Sequence, residues 1–191
     1  RIIQGLKDLK LDENTIVVIT ADHGNCLGKH SEISKNNIYE ESIRIPFIVY
    51  WKGRIKPRID NEFLGNIPDV YPTLLDLMGL KNKIPKEVDG KSYAQYYING
   101  KGEKPAEQYL LGAIVSNSVK VNTGCRGIRT NDYKLAFVKK KGKGEYELYN
   151  LKNDPFELNN IYNPDLQIVK KMKPVLVQWL EKTNDGFVLD K

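Results

Sequence analysis

The sequence predicts an α/β protein: part of a mixed or parallel sheet flanked by helices, followed by a small antiparallel β-sheet subdomain with a C-terminal helix. Three observations carry this reading. The run Thr-Ile-Val-Val-Ile-Thr over residues 15–20 is nearly free of polar groups, which matches a strand covered on both faces, as in a parallel sheet. A second run, Ile-Pro-Phe-Ile-Val-Tyr over residues 45–50, follows after a long polar connection. From about residue 109 onward, short runs separated by turn signals read as antiparallel strands, and helical spacing closes the chain.

Taken in order, residues 1–10 carry a helical pattern entered midway, without an N-cap signal. Residues 15–20 and 45–50 are the core strands. The segment between them, 21–44, is long for a connection, and long irregular connections in folded domains often hold function. Asp69 suits the cap of a helix with Pro72 in its first turn, Leu74, Leu75, Leu77 and Met78 as packing residues, and Gly79 as the stop. Residues 81–107, rich in Lys, Pro and Gly, read as a surface crossing. Strands follow at about 109–115, 125–130, 133–138 and 145–149, with Asn131-Asp132 as a tight turn and the lysine-rich residues 139–143 as a solvated one. Asn163-Pro164 marks a helix start, and Leu166, Val169, Met172, Leu176, Trp179 and Leu180 share one face, with Pro174 bending it. The expected division is a catalytic-domain part over 1–104, and a subdomain over 105–191 of about four antiparallel strands plus a helix over 164–183.

The chain has 191 residues and a net charge of +6 from 30 basic and 24 acidic side chains, which suits a polyanionic partner. Much of that excess lies in residues 139–143, however, and a basic strand interleaved with aromatics, a recognition helix and a zinc-finger pattern are all absent, so no nucleic acid is expected. No apolar stretch reaches the length of a membrane span. The two cysteines, Cys26 and Cys125, form no Cys-x-x-Cys pair and read as two small thiols, with a single bridge between them left open. Localisation is left open as well.

Candidate chemistry begins at Asp22-His23-Gly24, directly after the first apolar run. Ligands collect at the carboxyl ends of strands in α/β sheets, and a carboxylate beside an imidazole is an ordinary donor pair for a divalent cation. Gly24 permits a sharp turn or a close approach. The plainer alternative is that Asp22 opens a turn or caps a helix and His23 is a satisfied polar residue.

Downstream of the pair stands Lys35-Asn-Asn-Ile-Tyr39-Glu40-Glu41-Ser42-Ile-Arg44-Ile-Pro46. Asn66-Ile-Pro-Asp69-Val-Tyr-Pro72-Thr73-Leu74-Leu75-Asp76 and Asp89-Gly90-Lys91-Ser92 follow. Gly127-Ile128-Arg129-Thr130 with Tyr133-Lys134-Leu135, and then Glu147-Leu148-Tyr149-Asn150 through Asp154-Pro155 and Glu157, complete a series of five blocks. In this order they resemble the sulfatase family of the alkaline phosphatase superfamily, over nearly the whole chain.

The resemblance implies a metal-dependent sulfatase that hydrolyses sulfate esters of a sulfated carbohydrate or an aryl sulfate. It implies Asp22 and His23 as metal ligands, with Ca²⁺ first and Mg²⁺ or Mn²⁺ as alternatives, although the family often has Asn in the second place. Lys35 takes the position of the lysine that meets the sulfate and its leaving group. His30, between the metal pair and Lys35, is a candidate proton donor with a loop or substrate-contact role as the alternative. Glu40, Glu41 and Arg44 are expected to form an ion-pair frame that holds the loop. The family nucleophile is a formylglycine made within Cys/Ser-x-Pro/Ala-x-Arg. That motif does not occur here, since Cys26 precedes Leu-Gly-Lys and Cys125 precedes Arg-Gly-Ile. The expectation is therefore a C-terminal portion, inactive alone, whose partner is the N-terminal half that carries the nucleophile and the other ligands. A phosphodiesterase or phosphonate monoester hydrolase of the same superfamily is the alternative, and a nonenzymatic polyanion-binding module is the alternative of another class.

Overall fold

In the computed structural model, which describes residues 1–112, 123–140 and 143–189, the first apolar run becomes β1 (Val17–Thr20) and the second β2 (Phe47–Tyr50). They pair antiparallel, with Val17 opposite Tyr50 and Thr20 opposite Phe47. An apolar run does not fix strand direction, and among the described residues the neighbour of β1 is antiparallel rather than parallel. One face of the pair is open: the directly opposed Ile19 and Ile48 are 54% and 53% exposed. The described residues cluster into two units, residues 1–22 with 45–105, and residues 23–44 with 106–191.

The first unit holds β1, β2 and three α-helices, α1 (Ile2–Asp8), α3 (Ile67–Leu77) and α4 (Ala94–Asn99); α2 (Glu40–Ile43) lies in the second unit. Helix α3 begins earlier than its sequence suggests. Asn66 is the N-cap and Asp69 is the third helical residue, reaching back to the Asn66 N–H at 2.8 Å in a capping box. Pro68 therefore occupies the first turn and Pro72 lies inside the helix. The helix face is tied to the following loop by side chains rather than by apolar packing alone. Asp69 accepts from the Lys91 N–H at 2.8 Å, Thr73 from the Tyr93 N–H at 3.1 Å, and Asp76 from the Ser92 hydroxyl at 2.6 Å. Gly90 is required there, because a Cβ would overlap the Pro68 carbonyl. The crossing at 81–107 also contains α4, whose Tyr96 is buried, stacks on Phe63 and bonds to Asp60. Its Lys, Pro and Gly content hid a single buried aromatic turn.

The second unit is built on a meander of four antiparallel strands, β3 (Gln108–Gly112), β4 (Gly124–Arg129), β5 (Tyr133–Lys140) and β6 (Lys143–Asn150), in that spatial order. Positions 113–115 of the first expected strand and residues 141–142 of the lysine-rich turn lie outside the described residues. Side chains along a strand alternate between faces. On one face Leu135, Ile128 and Leu148 meet Val169, Met172 and Leu176 of α5 (Gln167–Lys182), which carries Pro174 inside. Asn163-Pro164 forms a turn before the helix, held by the Asp165 N–H on the Asn163 side chain at 2.9 Å, so α5 starts three residues after Pro164. On the other face Ala136 and Val138 meet Cys26, Ile38 and Tyr39, brought by residues 23–44 and the short helix α2 (Glu40–Ile43). The polar loop expected to hold chemistry is thus seated on the small antiparallel sheet. The chain is a mixed α/β protein with a four-stranded antiparallel sheet and a C-terminal helix, as its sequence predicts. No helix among the described residues is long and apolar enough to cross a membrane.

Candidate active site

Asp22 is exposed at the end of the first unit's opening segment, and His23 is the next residue, the first of the second unit. The His23 ring places Nδ1 2.8 Å from the Gly24 carbonyl oxygen. A carbonyl only accepts, so the proton is assigned to Nδ1, which leaves the Nε2 lone pair outward. Lys35 Nζ donates to that Nε2. The lone pair that receives the ammonium is the one a divalent cation would take, and a neutral imidazole fixed through Nδ1 is the usual state of a metal-bound histidine. The donor chemistry of His23 therefore fits a cation. Gly24 presses against α2: its N–H donates to the Ser42 carbonyl at 2.8 Å, and a Cβ would overlap the Glu41 carbonyl oxygen.

Between His23 and Lys35 the chain folds back on itself. The N–H groups of Cys26, Leu27 and Gly28 donate to the carbonyls of Ser34, Ile33 and Glu32 at 3.3, 3.2 and 2.9 Å. At the tip, Gly28, His30 and Ser31 have positive φ, of 99°, 56° and 57°. His30 does not face solvent. Its side chain is 7% exposed, and its ring stacks on Tyr39 with centroids 3.7 Å apart. Its Nε2 lies 3.4 Å from Glu41 Oε2, and Lys29 donates to Glu41 Oε1 at 2.6 Å. Burial raises the Glu41 pKa, but Lys29 outweighs it and holds the carboxyl below its usual range. Cys26, buried and unbridged like Cys125, has Ser42 Oγ at 3.3 Å and Asn37 Nδ2 at 3.3 Å as its sulfur's partners, so its surroundings are packing and hydrogen bonding rather than a thiol–imidazole pair.

Glu40 anchors the loop to the sheet. It receives Arg129 on both oxygens, at 2.9 and 3.1 Å, and Lys134 Nζ at 2.9 Å. Lys134, fully buried, also reaches Glu157 at 2.5 Å and the Ile38 carbonyl at 2.7 Å, and Glu157 accepts the Glu40 backbone N–H at 2.7 Å. Two carboxylates and two cations balance in one buried network. The frame expected of Glu40, Glu41 and Arg44 is distributed differently: Glu40 pairs with Arg129 and Lys134, Glu41 with Lys29, while Arg44 is exposed at the end of α2. Arg129, Lys134 and Glu157 are the members the sequence did not single out for a role. Their only signal was that they sit inside the blocks that carry the family resemblance, since nothing local tells a lysine in a strand that it will be buried.

Burial alone would raise the Glu40 pKa, yet Arg129 and Lys134 overcome it and bring the carboxyl from 4.5 to about 2. Glu157 goes the other way, raised by burial beyond what Lys134 restores. A carboxyl lowered in the folded state stabilises above its unfolded value, and that stability is lost as pH falls through the folded value, here between 4.5 and about 2. A raised carboxyl weakens the fold at neutral pH, and this is relieved as pH falls toward the unfolded value. Denaturant midpoints should therefore hold or rise slightly from pH 7 to 5 and then fall, by roughly 3 kcal/mol from Glu40 alone. Arg129→Met should flatten the fall below pH 4.5; an acid limb as steep as that of the parent would rule this origin out.

The four-stranded sheet with this loop on one face and α5 on the other is the C-terminal domain of the sulfatase class. The chain belongs to the family described as N-sulphoglucosamine sulphohydrolase, C-terminal, whose model matches residues 28–183. It is similar to an endo-4-O-sulfatase of Bacteroides thetaiotaomicron, with 32% identity over the whole of this chain and 40% of that protein. Its structure resembles a sulfatase-family crystal structure from Bacteroides fragilis, with 40% identity and a TM-score of 0.85, covering 97% of this chain and 40% of the other. A protein solved with its substrate D-glucosamine-2-N,6-O-disulfate is similar at 28% identity and a TM-score of 0.75, over 97% of this chain and 38% of that one. The chain thus spans about 40% of the length of the first of these relatives.

Proposed function

We propose that the chain supplies one wall of the active site of a metal-dependent sulfatase acting on a sulfated glycan. The observation that carries this is the Lys35 ammonium on His23 Nε2, with Asp22 next in sequence. The relative solved with a disulfated glucosamine supports the glycan class. Asp22 and His23 would hold the cation, with Ca²⁺ first, and when bound it would supply Lewis-acid polarisation of the sulfuryl oxygens. Lys35 does the rest of what this chain can do. As a compact point charge with three donors, it neutralises sulfuryl and leaving-group oxygens as negative charge moves onto them. The attacking formylglycine and the remaining ligands come from sequence outside these residues, and the division into a catalytic part over 1–104 and a subdomain over 105–191 is proposed with them.

In the full-length protein, Asp22→Ala should release bound metal and lower kcat/KM for a sulfate ester on the order of 100-fold or more, the two losses moving together. Metal content measured by mass spectrometry beside steady-state rates checks this. Retained activity with the metal still bound would remove Asp22 from the site. Rates on matched sulfate and phosphonate monoesters settle the reaction class, and preference for the phosphonate would replace the sulfatase reading.

A further inference from the structure

We infer that His30 and Glu41 form a clamp that positions Lys35, with Glu41 tying both the His23 turn and the Lys35 hairpin to one short helix; this rests on the proposed role of Lys35. His30 and Ser31 are consecutive non-glycine residues with left-handed φ, a conformation that persists only where the surroundings impose it. What imposes it is all on one side. The His30 ring lies flat on Tyr39, at an interplanar angle of 6°, and Lys29 holds Glu41 Oε1 while passing over the Phe156 ring at 4.6 Å. His30 Nε2 and Glu41 Oε2, both buried, face each other without a further hydrogen bond. Through its backbone, the same Glu41 blocks any side chain at position 24, beside the imidazole that receives Lys35.

The hairpin has three backbone hydrogen bonds between its arms, and Lys35 directly follows the last paired residue, Ser34. Fixing the tip therefore fixes the arm that delivers Lys35. A ring this enclosed is poorly placed to give a proton to a leaving group, whereas its stack on Tyr39 and its contact with Glu41 suit it to hold a loop. Glu157 also brings an oxygen within 4.8 Å of the His30 and Glu41 donors. Lys29 and Lys134 already bring positive charge to the two carboxylates, so a cation there has less to gain.

The test is a double-mutant cycle in the full-length protein with His30→Ala and Lys35→Ala, read as kcat and KM for a sulfate ester over a pH series. Displacing a reacting group by about 1 Å can cost on the order of 100-fold. His30→Ala should lower kcat about 10- to 100-fold with KM within about threefold, and in the Lys35→Ala background should change kcat by less than about twofold. The limbs of the pH–rate profile should keep their positions. An additive cycle overturns the clamp, as does a lost limb, which would make His30 a proton donor itself. A stoichiometric divalent ion that disappears only with His30 would make the cluster a metal site and overturn the clamp equally. If the alanine variant does not fold, His30→Phe keeps the stack on Tyr39, removes the nitrogen facing Glu41 and enters the same cycle. If Lys35→Ala leaves kcat unchanged, the catalytic reading fails by itself. The clamp is then read from acylation of the Lys35 amine, which His30→Phe should speed several-fold; an unchanged rate overturns it.

Discussion

Lys35→Ala in the full-length protein should lower kcat/KM for a sulfate ester by roughly 100- to 1,000-fold, the usual consequence of removing one donor aimed at developing negative charge. The loss should fall mainly on kcat, because the ammonium gains most when charge has moved onto the leaving oxygen. Lys35→Arg should recover little of it. The guanidinium is a broad fork suited to two parallel hydrogen bonds, whereas Lys35 makes a point contact with a single ring nitrogen. The outcome is distinguishable from unfolding, since Lys35 is exposed and its frame is carried by other residues. Melting temperatures should stay within about 2 °C of the parent, because exposed substitutions away from buried networks change stability by only about 0.5 kcal/mol. A loss below about tenfold with an intact fold would take Lys35 out of the reaction.

Much of this arrangement was legible in the sequence, and what was not has identifiable causes. Short runs between turn signals, such as the one around Leu135 and Ala136, marked the sheet strands, and the spacing of Val169, Met172, Leu176 and Leu180 marked the buried face of α5. Boundaries slipped where one side chain decides them. Asn66, not Asp69, caps α3, and both residue types make good caps, so local preference cannot choose between them. Helix α4 was missed because its buried Tyr96 depends on Phe63 and Asp60, more than thirty residues away. At the proposed site, Asp22, His23 and Lys35 were expected from their order and type. The support beneath them was not, for the partners of Glu40 are residues 129 and 134, and only folding the sheet brings them to the loop. His30 shows the limit most clearly. Its place in sequence left a proton donor and a loop or substrate-contact residue both open, and the enclosed ring is what supports the holding role inferred for it.

That hidden support should also give the largest stability effect. Lys134→Met leaves Glu40 and Glu157 facing each other with Arg129 as the remaining cation, and breaking a buried pair by removing one partner costs about 3–5 kcal/mol. At roughly 2–4 °C per kcal/mol for a chain of this size, the melting temperature should drop by about 10 °C. Glu157→Gln should cost less, about 1–2 kcal/mol. Its amide oxygen can still accept from Lys134 or the Glu40 N–H, and Lys134 keeps Glu40 as its counter-charge. Adding Glu157→Gln to Lys134→Met should therefore restore part of the loss, because it removes the carboxylate that the first change stranded. The sign with pH follows from the same charge count. Without Lys134 the Glu157 carboxyl, already raised by burial, rises further and takes up a proton in the folded state. The Lys134→Met penalty should then be smaller at pH 5 than at pH 8, in denaturant melts at both. A penalty independent of pH, with no recovery in the double variant, would mean that Lys134 acts through the packing of its stem rather than through its charge.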